Sequence, residues 1–303
     1  MLWITGASGF LGGHLIESFR DLSPICTSSK DLDLLDLNAV KNFVSKHNIQ
    51  SIIHAAGFVG GIGLHRESPG EVALKNLRMG LNIIEAASEV ENISLVTIST
   101  VCIYPENAPV PSPESSQHDG YPSPITAYYG IAKKTLHVVS EAVSKNANFS
   151  YLNIIPTNLY GPNDHYDDLK SHVVPALIKR AHLAKVNGDS ELVVWGDGTQ
   201  IRDLLFAPDA ASWIRKIMDS GIKNETFNIG SRTGVSIKDL ALTICDVVGF
   251  KGSIVWDISK PSGAPRRLLD TSKADKKVGI QALTSLRQGL ELSYENYLSN
   301  DEF

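Results

Sequence analysis

The chain has 303 residues, 43% of them hydrophobic and 20% charged, with a formal net charge of -5 at pH 7. These values are typical of a globular protein with room for a large core and a second lobe, and the negative charge argues against a nucleic-acid surface as its main function. No apolar run approaches the roughly 20 residues of a membrane span, and a strand predicted at Leu2 leaves no room for a signal peptide, so we expect a cytoplasmic location. The three cysteines are too widely spaced for a metal site or a disulfide framework.

The first predicted strand, Leu2 to Thr5, runs into a glycine-rich loop with the spacing G-x-x-G-x-x-G, and a helix is expected from about Phe10 to Arg20. Glycines permit a tight turn and a close approach of the backbone, while the N-terminus of the helix offers free N–H groups to a pyrophosphate. A turn without a ligand is the alternative, but the position between a strand and a helix favours a dinucleotide site. The residues predicted to form this site are Gly6, Ser8, Gly9, Phe10, Leu11 and Gly12.

The segment after the second predicted strand, Pro24 to Thr27, bears on the choice of cofactor. NAD enzymes of this type usually place an acidic residue about 20 residues beyond the glycines, where it binds the ribose hydroxyls. Here hydroxyl groups and a cation occupy that region, and no carboxylate appears before Asp31. Because a ribose 2′-phosphate suits such a region better than an acidic one, the sequence favours NADP(H), with an ordinary polar loop as the alternative. The residues concerned are Ser28, Ser29 and Lys30.

Apolar strands alternate with helices up to about residue 159, which predicts an α/β fold with a doubly wound parallel sheet of the Rossmann type. We expect a dinucleotide-binding domain over 1–159 with a return segment at about 201–229. A smaller α/β substrate-binding lobe is expected over 160–200 and 230–303. At the end of one later strand, small residues would let a cofactor lie against the sheet, and at the end of another a turn-rich segment leaves the sheet. These predicted cofactor-binding residues are Ala55, Ala56, Pro156, Thr157, Asn158 and Leu159.

Two long helices are predicted, over Pro69 to Glu91 and over Thr126 to Lys145. Long helices of this kind often pair across a homodimer, which we expect here. The first helix also carries an apolar stripe, and packing in the core is the simpler explanation of that stripe. The stripe consists of Leu74, Leu77, Leu81, Ile84 and Ala87.

Tyr129 and Lys133 are four residues apart in the second of these helices, so they share one face, whereas Tyr128 points elsewhere. An ammonium beside a phenol favours the phenolate, so we expect Lys133 to lower the pKa of Tyr129 from its usual value of about 10. Such a tyrosine can protonate a carbonyl oxygen as a hydride arrives, or accept the proton in reverse. Thr100, at the end of the strand predicted over Ile93 to Ile98, can hydrogen-bond the same oxygen. The Tyr-x-x-x-Lys spacing also occurs by chance, and it gains weight from the glycine loop that precedes it.

The most distinctive motifs lie in five stretches: 54–62 with Val-Gly-Gly-Ile, 101–105 with Cys-Ile-Tyr-Pro, 156–162, 171–177 with Ser-His-Val, and 265–270. In residue types and order they resemble the GDP-L-fucose synthase family of the extended short-chain dehydrogenase/reductase superfamily. The Cys-Ile-Tyr-Pro and Ser-His-Val motifs are the most specific, since generic sugar-nucleotide epimerases lack them. The chain departs from the family at Thr100, where serine is usual, and at Ser8 and Ser29, where arginines are frequent nearby.

This resemblance implies an NADPH-dependent enzyme that inverts C3 and C5 of GDP-4-keto-6-deoxy-D-mannose and reduces its C4 ketone to give GDP-L-fucose. The protons at C3 and C5 are acidic because they are α to the ketone. In the family they are exchanged by a cysteine and a histidine that match Cys102 and His172, groups whose usual pKa values of about 8.5 and 6.5 suit proton exchange near neutrality. Lys133 would also bind the nicotinamide ribose, and His172 would lie beside the cofactor. The positions that match the nucleotide-binding residues of the family are Arg180, Trp195, Arg202 and Arg266.

Two other functions stay open on the sequence alone. One is a plain 4-reductase, or an epimerase that keeps its cofactor bound, acting on another 4-keto nucleotide sugar. The other is a catalytically silent scaffold that only senses the cofactor, which the intact set of Thr100, Tyr129 and Lys133 disfavours. We expect no metal ion, nucleic acid or membrane among the partners.

Overall fold

A computed structural model of the protein describes residues 1–146, 148–167, 171–259, 264–280 and 284–299. A short 3-10 turn, Val101–Ile103, follows the fourth strand. The strands are β1 (Leu2–Thr5), β2 (Ile25–Thr27), β3 (Ser51–His54), β4 (Ile93–Ile98), β5 (Phe149–Pro156), β6 (Asn158–Tyr160), β7 (Glu191–Trp195), β8 (Ile201–Phe206), β9 (Glu225–Ile229), β10 (Gly234–Ser236), β11 (Ser253–Asp257) and β12 (Arg266–Arg267). The helices are α1 (Phe10–Ser18), α2 (Leu37–Lys46), α3 (Ile62–Glu67), α4 (Pro69–Ser88), α5 (Ala127–Ser144), α6 (Val173–Asn187), α7 (Ala207–Asp219), α8 (Ile237–Val248), α9 (Ser272–Val278) and α10 (Leu286–Ser299).

The central sheet has six parallel strands in the order β2-β1-β3-β4-β5-β9. Leu2 and Ile4 belong to one apolar cluster and Trp3 to another, so β1 is covered on both faces, as a parallel sheet requires. The predicted doubly wound Rossmann sheet is therefore confirmed. Because all the strands run in one direction, the loops that follow β1, β3, β4 and β5 meet at the carboxyl edge of the sheet, where such folds bind their ligands.

A second region is built around β8, which pairs with β6, β10 and β12, and a separate two-stranded sheet joins β7 to β11. Side chains such as Leu177, Leu240 and Leu290 give this region an apolar cluster of its own. β8 runs directly into α7, yet Ile214 of α7 packs into the cluster of the central sheet. β8 and α7 thus connect the two regions.

The stripe predicted as the buried face of α4 is only partly buried. Leu74 is 54% exposed and Leu81 is 37% exposed, so the expectation that both pack in the core is wrong. The buried face instead includes Asn76 and Gly80. A Cβ on Gly80 would lie 2.2 Å from a methyl carbon of Leu136, so the missing side chain lets α5 pack closely on α4.

Two short elements, α3 and β6, were not predicted as a helix and a strand, because three to six residues give no readable periodicity. The distinctive stretch 265–270 contains β12, and residues 260–263 before it lie outside the described residues. In the part of the chain that the structure describes, no helix is both long enough and apolar enough to span a membrane.

Candidate active site

The glycine loop between β1 and α1 packs so closely that two of its positions exclude any side chain. A Cβ on Gly6 would lie 2.6 Å from Cα of Ala56, and the φ of Gly6 is +68°. A Cβ on Gly12 would lie 2.1 Å from the carbonyl oxygen of Gly6. Gly9 precedes α1 without a side-chain cap, so the N–H groups of the first turn are available to an anion. The cradle therefore fits the diphosphate of a dinucleotide.

The loop after β2 was predicted to offer hydroxyl groups and a cation, but the structure also brings the carboxylate of Asp31 to it. Asp31 accepts hydrogen bonds from the hydroxyl of Ser28 at 2.6 Å and from its backbone N–H at 2.7 Å. These bonds, with the charge of Lys30, lower the pKa of Asp31, so it is ionised. Ser29 and Lys30 are exposed. A ribose phosphate at this loop would therefore meet one cation and one carboxylate.

Tyr129 and Lys133 lie on the buried face of α5, while Tyr128 is 54% exposed. The Lys133 Nζ lies 5.9 Å from the centroid of the Tyr129 ring and donates a hydrogen bond to the carbonyl oxygen of Ile98 at 3.0 Å. A Cβ on Gly57 would lie 3.8 Å from the same Nζ, so the loop after β3 also reaches this point. The ends of β3 and β4 therefore converge on the predicted tyrosine–lysine pair.

The expected lowering of the Tyr129 pKa is wrong for the groups that the chain itself supplies. Burial raises the pKa of Tyr129, and the charge of Cys102 raises it further. Burial also lowers the pKa of Lys133 to about 8, and its ammonium is directed to a backbone carbonyl rather than to the phenol. Tyr129 is thus a neutral phenol at neutral pH, which is the form that can donate a proton to a carbonyl oxygen.

Cys102 lies in the 3-10 turn after β4, half-buried and near enough to Tyr129 for its charge to act on the phenol. Thr100 caps this turn, because its Oγ1 accepts the backbone N–H of Cys102 at 3.2 Å. The Thr100 hydroxyl can still donate its own hydrogen to a substrate oxygen. A Cβ on Gly130 would lie 2.2 Å from the carbonyl oxygen of Cys102, so α5 packs directly on the turn. The structure thus brings Thr100, Cys102 and Tyr129 together.

His172 directly precedes α6, and its side chain is accessible to solvent. Even so, burial lowers its pKa, and the charges of His165 and His65 lower it further. The ring of His65 is itself 5.6 Å from the ring of Tyr129, so His65 connects the surroundings of His172 with those of Tyr129.

Two of the predicted nucleotide-binding arginines, Arg202 and Arg266, lie on strands that pair with each other. β12 runs parallel to β8, and this register places Arg267 opposite Arg202 and Arg266 opposite Ile201. Burial and the charge of Arg267 lower the pKa of Arg202 to about 10. An anion bound between the two guanidinium groups would relieve this repulsion, which makes the pair suited to a diphosphate.

The remaining predicted residues lie on other elements of the two regions. Arg180 lies on α6, the helix that His172 precedes, and Trp195 ends β7 with 56% of its surface exposed. Thr157 donates its hydroxyl to the carbonyl oxygen of Asp203 at 2.9 Å, and the Asn158 amide donates to the same oxygen at 3.2 Å. The segment from Pro156 to Leu159 therefore leads from the central sheet to β8.

Residues 2–230 match the family of NAD dependent epimerases and dehydratases. The chain belongs to this family. It is 37% identical to a GDP-L-fucose synthase of Sinorhizobium fredii, over 99% of this chain and 96% of that protein. A GDP-L-fucose synthetase of Naegleria fowleri bound to NADP has a TM-score of 0.87 and 26% identity, covering 99% and 93% of the two chains. A GDP-6-OMe-4-keto-L-xylo-heptose reductase of C. jejuni has a TM-score of 0.91 and 25% identity, covering 98% and 97%.

Three residues of the candidate site were not predicted from the sequence. Asn76 accepts the N–H of Phe58 at 3.1 Å and donates to its carbonyl oxygen at 2.9 Å, which orders the loop beside Lys133. His65 is a single histidine in a short helix, so no spacing pointed to it. Arg267 directly follows the predicted Arg266. Its position opposite Arg202 depends on the register of β12 against β8, which the sequence does not reveal.

Proposed function

We propose that the protein catalyses the NADPH-dependent 3,5-epimerisation and 4-keto reduction of GDP-4-keto-6-deoxy-D-mannose to GDP-L-fucose. The observation that supports this proposal is the close packing of Gly130, the residue after Tyr129, on the carbonyl group of Cys102, so that the thiol and the proposed proton donor for the ketone lie on adjoining elements. The similarity to GDP-L-fucose synthases over nearly the whole chain supports the GDP-sugar substrate. The glycine cradle fits a dinucleotide, and the cofactor is NADP(H), as in the related enzyme bound to NADP.

In the proposed reaction the residues of the chain move the protons. NADPH, when bound, supplies the hydride for C4. Cys102 and His172 exchange the protons at C3 and C5, one acting as base and the other as acid on opposite faces of the sugar. Tyr129 then donates its phenolic proton to the C4 oxygen, and the ammonium of Lys133 remains close to the phenolate that results. Thr100 donates a hydrogen bond to the same oxygen.

We propose that the nucleotide part of the substrate is bound by arginines of the paired strands β8 and β12. Arg202 and Arg267 would bind the diphosphate, with Arg266 and Arg180 as further cations. Trp195 would stack on the base, because its exposed ring offers a flat apolar surface. The proposed division of the chain is a dinucleotide-binding domain at 1–159 with 201–229, and a sugar-nucleotide lobe from the remainder.

The test is incubation with GDP-4-keto-6-deoxy-D-mannose and NADPH in deuterated water. The proposal expects deuterium at C3 and C5 of the product, together with oxidation of one NADPH per sugar. Cys102→Ser should lower exchange about 100-fold or more, while Cys245→Ser, in the buried core of the second region, serves as the matched control. Reduction at C4 with unlabelled C3 and C5 would contradict the epimerase half.

A second candidate is a 4-reductase or epimerase for another 4-keto nucleotide sugar. The observation that favours it is the TM-score of 0.91 to the heptose reductase, the higher of the two structural similarities reported above. Assays with several GDP- and UDP-linked 4-keto sugars separate the two candidates. A preference for a heptose by kcat/KM would select the second.

We also propose that the protein is a homodimer formed through α4 and α5. Leu74 and Leu81 on α4 and Val138 on α5 are exposed, although α4 and α5 pack on one another. Burying such leucines and valines between two copies stabilises a dimer. Leu74→Glu with Leu81→Glu should give a monomer by light scattering, and a wild-type chain that is already monomeric would contradict the proposal. A cytoplasmic location stays a prediction, which cell fractionation tests.

A further inference from the structure

Asn228 of β9 is fully buried, and each polar group of its side chain is used. Its Oδ1 accepts the hydroxyl of Tyr104 at 2.6 Å. Its Nδ2 donates to the carbonyl oxygens of Ser112 at 2.9 Å and of Asp270 at 3.0 Å. The backbone N–H of Asn228 donates to Glu114 at 2.9 Å. One residue at the edge of the central sheet therefore holds three other segments of the chain.

The first of these segments is the turn that carries Cys102. Tyr104 directly follows this turn and is 1% exposed, so its hydroxyl has no access to bulk water. Burial also raises the pKa of Tyr104, which keeps the hydroxyl a donor. Val101 and Ile103 pack in a small apolar cluster with Tyr104, and this cluster also contains Ile155 of β5 and Leu269 of the second region. The residues on both sides of Cys102 in the chain are therefore fixed, by apolar packing and by the hydrogen bond of Tyr104, and these contacts determine the position of the thiol.

The other segments lead to the arginine strand. The N–H of Ser112 donates to the carbonyl oxygen of Leu268 at 2.9 Å, and the N–H of Asp270 donates to that of Ser112 at 2.9 Å. Leu268 directly follows β12, the strand of Arg266 and Arg267. A small cleft between the two is lined by Val101, Tyr104, Arg266 and Arg267, among others. A short chain of hydrogen bonds therefore connects the cysteine turn with the proposed diphosphate site.

We infer that Asn228 and Tyr104 are positioning residues, which hold the thiol of Cys102 at a fixed place relative to the arginines of β12. A sugar nucleotide anchored at its diphosphate presents C3 and C5 at one place, so the proton-exchanging thiol must be fixed in the same frame. The hydrogen bonds between Tyr104, Asn228 and the segment 268–270 hold the cysteine turn in a fixed position relative to β12, and they do so without contacting the sugar. This inference rests on the proposed function for its chemistry, but not for the position of the thiol.

The test removes one hydroxyl with Tyr104→Phe and compares it with Tyr160→Phe. Tyr160 is also 1% exposed, and its hydroxyl lies 3.5 Å from the carbonyl oxygen of Leu286 in the second region, so the same substitution serves as a matched control. Asn228→Ser is the second variant. Three quantities are measured on each full-length protein: the rate of Cys102 alkylation by iodoacetamide, deuterium exchange at C3 and C5, and NADPH affinity. Cys26 and Cys245 provide internal references for the alkylation.

We expect Cys102 to be alkylated about five-fold faster, and deuterium to be exchanged about ten-fold more slowly, in Tyr104→Phe and Asn228→Ser, because each variant leaves a buried polar group unpaired and the turn loosens. NADPH affinity should stay the same, and Tyr160→Phe should change neither rate. Alkylation of Cys102 at the wild-type rate in Tyr104→Phe would overturn the inference, as would an equal change in Tyr160→Phe. If the wild-type protein exchanges no deuterium but the alkylation rates differ as expected, the proposed function fails and the positioning of the thiol stands.

Discussion

Gly6 and Gly12 meet within a single strand–turn–helix unit, whereas Arg202 and Arg267 meet only because β8 and β12 pair in register. The tightest contact on the cofactor side of the site is therefore a backbone contact between residues that are close in sequence. The sugar side is made by side chains that distant segments bring together. Backbone contacts this close tolerate no added atom, so one substitution on the cofactor side should disrupt the whole turn. Each side-chain contact on the sugar side contributes its own part of the binding energy, so one substitution there should remove only that part.

The largest effect is expected where the two sides meet, at Lys133. Lys133→Met removes the ammonium near Tyr129, so the phenolate left after proton donation loses a stabilising charge. Reduction at C4 should fall about 1,000-fold, measured as NADPH oxidation in single turnovers. Lys134→Met is the matched control, because Lys134 is the next residue of α5 and donates to the Gly120 carbonyl. A Lys133→Met protein that keeps its reductase activity would remove Lys133 from the mechanism.

The same substitution should stabilise the fold. Burial lowers the pKa of Lys133 to about 8, so the folded protein carries a destabilised ammonium at pH 7, and Lys133→Met should raise the free energy of unfolding by about 1–3 kcal/mol. Between pH 8 and about 10.5 the unfolded chain binds a proton that the folded chain has lost. The wild-type protein should therefore gain stability as the pH rises through this window, and the methionine variant should lack that gain. Urea unfolding at pH 7 and pH 9.5 measures both, and a variant less stable than wild type at pH 7 would contradict the expectation.

Gly12→Ala tests the cofactor side alone. The added Cβ would lie 2.1 Å from the Gly6 carbonyl oxygen, so the turn must open and NADPH affinity should fall about 100-fold. Gly13→Ala is the matched control, because a Cβ there has no neighbour within 4 Å. Fluorescence titration with NADPH measures both variants. Equal affinities in the two would mean that backbone packing does not control this side of the site.

The sequence predicted the cofactor side well because its signals are local. Parallel strands buried on both faces appear as continuous apolar runs, and β1 and β4 were predicted with the bounds that the structure has. The glycine spacing likewise depends on one turn. The face of α4 was misjudged because α5 packs on Gly80 rather than on the leucines, which no periodicity in α4 reveals.

On the sugar side, Cys102, His172 and the arginines could be predicted only through resemblance to a family, because their contacts depend on tertiary structure. Lys133 was expected to lower the pKa of Tyr129, but its ammonium donates its hydrogen bond to the Ile98 carbonyl instead. Asn228 gave no signal at all, since its three partners lie on segments that are remote in sequence. Residues of this kind become visible only when every hydrogen bond of a buried polar group is followed to its partner.

Arg267→Ala tests the sugar side alone and should have a smaller effect than Gly12→Ala. The loss of one charged hydrogen-bonding group should raise KM for the GDP-sugar about ten-fold and leave kcat unchanged, because the diphosphate does not change charge in the reaction. Arg20→Ala removes an arginine in an exposed ion pair with Glu17 and serves as control. A fall in kcat with unchanged KM would place Arg267 at the reacting carbons instead.

The smallest effect is expected from Asp31, which accepts hydrogen bonds from both the backbone N–H and the side-chain hydroxyl of Ser28. Asp31→Asn keeps an acceptor for Ser28 but removes the negative charge beside Lys30, so the preference for NADPH over NADH should rise about three-fold, as for an exposed charge pair. Lys30→Ala should lower that preference by a similar factor, and Asp33→Asn, which changes a nearby carboxylate, is the control. The ratio of kcat/KM for the two cofactors measures all three variants. If Asp31→Asn instead weakens both cofactors equally, the carboxylate acts by shaping the Ser28 turn, and this loop belongs with the backbone-defined side of the site.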